Sequence, residues 1–498
     1  MALTRFSLTR IGLLLVAGAI FPLGLAPFDL WPCTLLSICL LFLTLNSSNS
    51  FFADGWLYGA GLFLTGASWI YVSINVYGSA PVPLALFLTL CFCLGLALLH
   101  GTQALVYHRF GAQTPFWAPV TFAALWGLFE WLRSWLLTGF PWLYAGYTAL
   151  DSPLRGWVPL VGVFGTGFLI TGLAASIGSL IKTRGALGAR WATAGFLLLW
   201  AMGPLFANKE WTTPVGGPVS VAVYQPNIPL EKKWDRRYFF PILDQYAETT
   251  AELYGNHDIV LWPESALPAY QDRLGDYLTE QSLLATAGKA TLITGVPIRE
   301  QANRYNSIVA LGQGEGVHHK QKLVPFGEYV PLESFLRGLI QFFDLPMSNF
   351  IPGPSVTPRL TAGAVAIAPF ICYEIVYPAF VLAGARDAGL IVTVSNDSWF
   401  GESIGPLQHL QMAQYRAIET GKPVIRGTNN GVSAIIDHRG RPIATSAQFR
   451  EEVISSNVQP HSGETPLIHT SPWLMWVFGA LFLQGLFLRQ RGNRAHPD

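Results

Sequence analysis

The sequence predicts a membrane α-helical bundle of eight transmembrane helices carrying an α/β domain outside the membrane, and three observations predict it. Hydrophobic residues fill 51% of the 498 positions and charged residues only 12%, against about 25% charged in soluble domains. Eight apolar runs approach the length of about 20 residues that a helix needs to cross the hydrocarbon core. The block from about Asn208 to Ser471 has a different character, with short β-branched runs alternating with helical stretches, the pattern of a layered α/β domain.

The apolar runs are Ile11 to Leu25, Trp31 to Leu45, Phe52 to Tyr71, Val82 to His100, Trp117 to Leu137, Leu160 to Ile181, Trp191 to Phe206 and Trp473 to Leu488, of which the first two are short. Lys and Arg collect in cytoplasmic loops, and if the chain alternates they collect here on one side. Arg5 and Arg10 precede the first run, Arg109 follows the fourth, Lys182, Arg184 and Arg190 follow the sixth, and Arg489, Arg491 and Arg494 follow the eighth. The opposite side has only Arg155 in a short loop. Both termini are therefore expected in the cytoplasm, with residues 1–207 forming seven spans, 208–471 the exterior domain, and 472–498 the eighth span and tail. A cleaved signal peptide is disfavoured because the stretch Phe21 to Pro27 lacks a small-residue cleavage site. The 17 tryptophans mostly border the runs, as an interfacial aromatic belt requires.

Within the exterior block, strands are expected at Val219 to Tyr224, Ile259 to Trp262, Thr291 to Val296, Ser307 to Leu311, Val365 to Ile371, Leu390 to Val394, Val424 to Gly427 and Val432 to Ile436. Each is short, β-branched and bounded by Pro, Gly, Asn or Asp. Helices are expected at Tyr238 to Tyr254, Tyr270 to Ala287, Tyr377 to Ala388 and Pro406 to Thr420. The segment Ser334 to Phe350, which includes Phe342 and Phe343, is apolar without a clear period. It reads equally as a loop that dips into lipid and as one that packs on the α/β core.

Of five cysteines, Cys33, Cys39, Cys91 and Cys93 lie in apolar runs and read as small hydrophobes, leaving Cys372 without a disulfide partner in its own block. An unpaired thiol in an oxidising compartment is either buried and inert or kept for reactivity. A free thiol, with a pKa of about 8.5, needs a base or a cation beside it to become a nucleophile. Three polar clusters at strand ends offer these: Leu261 to Ser265 with Glu264, His319 to Glu328 with Lys320, and Ile371 to Glu374 with Cys372 itself. Ligands of α/β folds gather where strands end. Glu264 could accept the thiol proton if partial burial makes it a better base. Lys320, with the backbone N–H of Tyr373, could stabilise a tetrahedral oxyanion. Taken singly, Glu264 reads as a turn carboxylate and Lys320 as a solvated charge; their joint placement favours catalysis. A net charge of +1 gives no reason to propose nucleic acid as a partner.

These residues resemble the Glu-Lys-Cys triad of the nitrilase superfamily: a Glu after a strand, a Lys in an element leading to Pro325-Phe326-Gly327-Glu328, and a Cys in Cys372-Tyr373-Glu374. The likeness extends to Tyr224-Gln225-Pro226-Asn227, His409 and Arg416-Ala417-Ile418-Glu419. It implies an αββα sandwich for the exterior domain. With seven spans before that domain and one after, the whole chain is similar to bacterial apolipoprotein N-acyltransferases. The resemblance implies a catalytic domain in the periplasm of a bacterial inner membrane. It also implies acyl transfer from a membrane phospholipid, phosphatidylethanolamine foremost, through a Cys372 thioester to the α-amino group of a diacylglyceryl-modified cysteine at the N-terminus of an apolipoprotein. It implies no cofactor, and a monomer is expected.

One departure is that Lys322 stands where many nitrilase relatives place His. Lys320 and Lys322 would share a face of an extended strand, so geometry leaves the triad lysine open between them and the motif assigns it to Lys320. The same carry-over marks Trp234, Glu328, Tyr373 and Glu374 around the pocket, and Asn306 more weakly. Phe342 and Phe343 are expected to assist lipid entry.

Glu130 and Arg133 lie three apart in the fifth run. Ionisable residues at such a place are functional by default, yet these can also pair as helix neighbours. His318 and His319 lack a third ligand at zinc-like spacing and read as a solvated pair rather than a metal site. Two other functions fit less well. A tethered amidase would pass its acyl group to water, and a transporter or scaffold would need more polar groups in the spans than Glu130 and Arg133 provide.

Overall fold

The computed structural model describes residues 8–45, 50–325, 327–329 and 349–495, and it divides into two compact units. One gathers the apolar helices up to Lys209 and from His469 onward; the other comprises Glu210–Ile468 with Tyr77–Ser79.

In the first unit and the helix that closes the chain, every expected run falls on a helix: Leu8–Ile20, Trp31–Leu45, Phe51–Gly66, Val82–Phe110, Trp117–Arg133, Val158–Lys182, Leu187–Ala207 and Leu467–Ala495. Not all eight are membrane-length. Among the described residues three helices are long and apolar enough to cross, Val82–Phe110, Pro153–Lys182 and Leu467–Arg491. A fourth crossing is formed if Phe51–Gly66 and Ile70–Tyr77, bent by 61°, count together. The expected span Phe52 to Tyr71 is thus a bent helix pair, with the geometry of a broken span or of a re-entrant loop. The run Trp117 to Leu137 is cut short because the helix ends at Arg133 and Leu137 takes a left-handed φ of 52°. A 15-residue helix such as Trp31–Leu45 is only about 22 Å long at 1.5 Å per residue. Close packing replaces length in part: a Cβ on Gly18 would stand 1.9 Å from the Tyr58 carbonyl oxygen and one on Gly61 2.1 Å from that of Leu15, so only glycine lets these helices touch.

Glu130 and Arg133 are both buried, and both grip the segment that follows their helix. Glu130 accepts N–H bonds from Ala145 at 2.8 Å and from the Trp126 indole at 2.9 Å. Arg133 donates to the Leu143 carbonyl at 3.3 Å and lies over the Tyr144 ring.

The second unit is a four-layer sandwich. Its strands are β1 (Thr213–Pro214), β2 (Val219–Gln225), β3 (Ile259–Leu261), β4 (Thr291–Glu300), β5 (Asn303–Gly312), β6 (Val317–His319), β7 (Leu360–Ala362), β8 (Val365–Ile371), β9 (Leu390–Ser395), β10 (Val424–Thr428), β11 (Ala434–Ile436), β12 (Pro442–Thr445), β13 (Glu452–Val458) and β14 (His461–Ser462). One six-stranded sheet has the order β13-β2-β3-β4-β5-β6 and the other β12-β11-β10-β9-β8-β7, while β1 and β14 form a small pair. In each large sheet the central three strands, β2-β3-β4 and β8-β9-β10, run parallel.

Strand alternation explains the layering. Val221, Val223, Ile259, Leu261, Ile293 and Ile308 meet Ile367, Ile371, Leu390, Val392, Val394 and Ile425 in one core between the sheets. The intervening Tyr224, Val260, Trp262, Leu292 and Val309 face outward and pack with Ile242, Leu243, Tyr246, Leu278 and Ala285, from the helices Phe239–Ala251 and Gly275–Ala287. Burying one such side chain contributes roughly 1.5–3 kcal/mol. The expected αββα architecture is therefore present. Its edge strands β6, β7, β12 and β13 escaped sequence reading. The helix expected from Tyr270 begins at Gly275, after a 3-10 turn over Gln271–Arg273, and the one expected over Tyr377 to Ala388 spans only Pro378–Gly384.

Candidate active site

Parallel strands place their successor residues along one edge of a sheet, and this edge collects the polar clusters. Glu264 follows β3, Cys372 follows β8 directly, and Lys320 follows β6. The turn carrying Glu264 lies flat on β4, where Gly295 makes room: a Cβ there would stand 2.7 Å from the Glu264 Cα. Cys372 opens a 3-10 turn with φ 50°, a left-handed backbone whose strain is on the order of 1 kcal/mol for a residue with a side chain.

The buried Glu264 carboxylate is held from three directions. Oε1 accepts from the Asn306 side-chain amide at 2.7 Å and from Lys320 Nζ at 3.3 Å, and Oε2 accepts from the backbone N–H of Asn396 at 2.8 Å. Lys320, 1% exposed, also lies 2.9 Å from Glu328. Glu328 in turn accepts from Asn306 at 2.8 Å and from the Val324 backbone N–H at 2.8 Å. Burial alone would discharge the Lys320 ammonium, but Glu264 and Glu328 outweigh it and hold the group above the ordinary lysine range. Burial and then the Glu264 carboxylate push the Cys372 thiol up, against the opposing pull of Lys320. The thiol is therefore protonated at rest.

Glu374 is fully buried and ties the cysteine turn to the lysine loop. Its Oε2 accepts from the Ile371 N–H at 2.8 Å and lies 2.9 Å from His318 Nε2, while Oε1 accepts from the Gln321 N–H at 2.6 Å. Burial opposes its ionisation, yet His318 and these backbone donors hold it below the usual carboxylate range.

Two expectations need correction. Strand β6 ends at His319, so Lys320 and Lys322 do not share a strand face: Lys320 turns inward, whereas Lys322 is exposed, with its ammonium 5.7 Å from the Tyr377 ring centroid. His318 and His319 are not a solvated pair. His318 is buried on Glu374, and His319 meets Ser307 at 2.7 Å and Glu300 at 3.4 Å. Among the described residues no group of three or more His, Cys, Asp or Glu could hold a metal ion.

Of the remaining candidates, Asn306 sits at the centre of the network. Trp234 is half-buried and Tyr373 packs edge-on to Tyr377 at 5.3 Å. Phe342 and Phe343 lie outside the described residues. Sequence reading missed Lys233, whose run Glu231-Lys232-Lys233 looks like a solvated turn. Lys233 is 1% exposed, its ammonium donates to the Glu264 carbonyl at 3.3 Å, and burial lowers its pKa to about 8. It also missed Asn396, Asp397 and Arg426, since a polar residue just past a strand or inside it carries no motif.

The carbon-nitrogen hydrolase family model matches residues 220–465, and the model of the apolipoprotein N-acyltransferase N-terminal domain matches residues 17–176. An apolipoprotein N-acyltransferase of Azotobacter vinelandii is 45% identical, with 97% of this chain and 96% of that protein aligned. The chain belongs to the apolipoprotein N-acyltransferase family. Another apolipoprotein N-acyltransferase, of Pseudomonas aeruginosa strain LESB58, is 46% identical over 96% of each chain, and that of Coxiella burnetii is 37% identical over 96% of this chain and 99% of its own. Among solved structures, Saccharomyces cerevisiae Nit3 of the nitrilase superfamily has a TM-score of 0.38 at 18% identity, covering 52% of this chain and 95% of Nit3. The apolipoprotein N-acyltransferase assigned by these relatives is thus an enzyme whose second unit matches the carbon-nitrogen hydrolases.

Proposed function

We propose that Cys372, Glu264 and Lys320 carry out N-acyl transfer by a two-step covalent route. The chain is an N-acyltransferase of the apolipoprotein family, so it needs a phospholipid donor and a lipoprotein acceptor. The observation that carries the mechanism is the single Glu264 carboxylate reached by Lys320 and Asn306 at the strand edge where Cys372 begins its turn.

Because the resting thiol is protonated, the proton leaves as the sulfur attacks. Glu264 takes it while the Cys372 sulfur bonds to the ester carbonyl carbon of the phospholipid. Negative charge moves to the carbonyl oxygen, where the Lys320 ammonium and the Tyr373 N–H stabilise it. The ester C–O bond breaks, Glu264 returns the proton to the leaving lysophospholipid oxygen, and a thioester remains. The α-amino group of the diacylglyceryl cysteine then attacks the thioester carbonyl carbon, Glu264 accepts the ammonium proton, and the C–S bond breaks to leave the amide while that proton returns to the departing Cys372 sulfur. An ordinary α-amino group has a pKa near 7.7–8.0, so a useful fraction is free amine at neutral pH.

Phosphatidylethanolamine is the donor in this reading, and the enzyme acts as a monomer. Asn306 and Glu328 hold the charged triad members, Glu374 shapes the cysteine turn, Trp234 and Tyr373 border the acyl chain, and Phe342 and Phe343 assist lipid entry. The charge asymmetry of the loops supports eight crossings, with residues 208–471 in the periplasm and both termini in the cytoplasm of the bacterial inner membrane. The short helices Leu8–Ile20 and Trp31–Leu45 then cross where the bilayer thins around the bundle.

The test is incubation with acyl-labelled phosphatidylethanolamine, trapping of the thioester and mass spectrometry of the peptide containing Cys372. Label is expected on Cys372 in the wild type and absent from Cys372→Ala; label persisting in Cys372→Ala rejects the assignment.

A further inference from the structure

A second buried network lies behind the nucleophile. Asp397, just past β9, is 1% exposed, and its Oδ1 accepts from Ser395 Oγ at 2.5 Å. Arg426 on β10, fully buried, donates from Nη2 to Asp397 Oδ2 at 2.6 Å and approaches His409 Nδ1 at 3.2 Å. His409, on the helix Gly405–Thr420, is 1% exposed, and its Nε2 lies 3.2 Å from the carbonyl oxygen of Cys372.

The partners fix the state of the ring. A carbonyl oxygen only accepts, so Nε2 must carry the proton there, and a guanidinium only donates, so Nδ1 must offer its lone pair to Arg426. Asp397 Oδ1 also lies 3.3 Å from Nδ1 and could only accept there, but its two oxygens already take the Ser395 hydroxyl at 2.5 Å and the Arg426 guanidinium at 2.6 Å, and a second ring proton would face that guanidinium. We propose that His409 is a positioning residue for acyl transfer: as the neutral Nε2–H tautomer it holds the Cys372 carbonyl, and with it the left-handed backbone on which the thiol stands. A residue at φ 50° stays there only when its surroundings overdetermine it, and the imidazole is the side chain that meets this carbonyl from the helix Gly405–Thr420. Burial, followed by the charge of Arg426, keeps the imidazole below its ordinary range, which agrees with the neutral form. Asp397 acts one step further back, neutralising the guanidinium that faces the ring.

The inference rests on Cys372 as nucleophile, and the experiment separates the two. Single-turnover acylation by labelled phosphatidylethanolamine in mixed micelles is measured for the wild type, His409→Met, which has no donor, and His409→Gln, whose amide N–H can replace Nε2–H. His409→Met is expected to slow acylation by about 10- to 100-fold, the loss that a misplacement of order 1 Å brings, with KM for the phospholipid nearly unchanged. His409→Gln is expected to recover most of the rate. A wild-type rate in His409→Met, or an equal loss in both variants, overturns the role while labelling of Cys372 leaves the nucleophile intact; label in Cys372→Ala would instead remove the nucleophile. Independently of any variant, 15N chemical shifts of the histidine-labelled wild-type enzyme should show His409 as the Nε2–H tautomer, and an Nδ1–H tautomer overturns the proposal.

Discussion

The backbone N–H of Asn396 donates to Oε2 of Glu264 at 2.8 Å, and this bond joins the end of β9 in one sheet to the turn after β3 in the other. The carboxylate is thus fixed by both halves of the sandwich, leaving it little freedom to turn away from the sulfur. For Glu264→Gln, in which an amide group replaces one of these acceptors, single-turnover release of lysophospholipid should fall by roughly 10²- to 10⁴-fold, the usual contribution of a general base. Thermal unfolding in detergent should shift far less than the rate.

Lys320 neutralises two buried carboxylates. Lys320→Met leaves Glu264 and Glu328 facing each other through Asn306, and breaking a buried pair in this way costs about 3–5 kcal/mol. The expected result is a strongly lowered Tm. Adding Glu328→Gln should restore much of the Tm without restoring acyl transfer, which separates the stabilising role of the ammonium from its chemical one.

Lys233 should set part of the alkaline stability profile. Its folded pKa of about 8 lies below the ordinary lysine value of 10.5, so between these pH values the unfolded chain binds more protons and stability rises with pH. Below about pH 8 the group destabilises the fold by its full amount, on the order of 3 kcal/mol from the size of the shift. Lys422, also lowered to about 8 by burial, acts in the same window. Lys233→Met should therefore raise stability at pH 7 and reduce, without abolishing, the rise between pH 8 and 10.5. Denaturant titrations across that range measure both effects.

Glu374 works with the opposite sign. Its pKa is held down in the fold, so its contribution is complete above the unfolded carboxylate value of about 4.3 and is lost as pH falls through the lower folded value. Asp397 adds to the same acid loss, since the charge of Arg426 outweighs its burial. Glu374→Gln should be less stable than the wild type at pH 7, and the gap should narrow at low pH. Tm measured from pH 7 down to pH 3 is the check.

Much of this was legible in the sequence because the features are periodic or local. Alternation in Val219 to Tyr224 and Ile259 to Trp262 marks residues for two opposite layers, Glu264 and Cys372 each follow a recognisable apolar strand, and Lys320 was legible only through the motif leading to Pro325-Phe326-Gly327-Glu328. Helix positions in the apolar unit were legible from composition, but helix length was not: no Pro stands at the bend between Gly66 and Ile70 or at the break at Leu137 to announce it. What escaped notice was long-range. His318 meets Glu374 across 56 positions and Asn396 meets Glu264 across 132, and no local pattern announces such a partner. Lys233 was hidden for a related reason, since a lysine among charges reads as solvated until the fold closes over it.

The raised proton affinity of the Cys372 sulfur has a consequence for the enzyme between turnovers. Oxidants and stray electrophiles react with thiolate far faster than with thiol, so a sulfur that keeps its hydrogen while idle is chemically quiet. A lone cysteine can then persist where its surroundings are oxidising, awakened only by an ester carbonyl arriving within its reach.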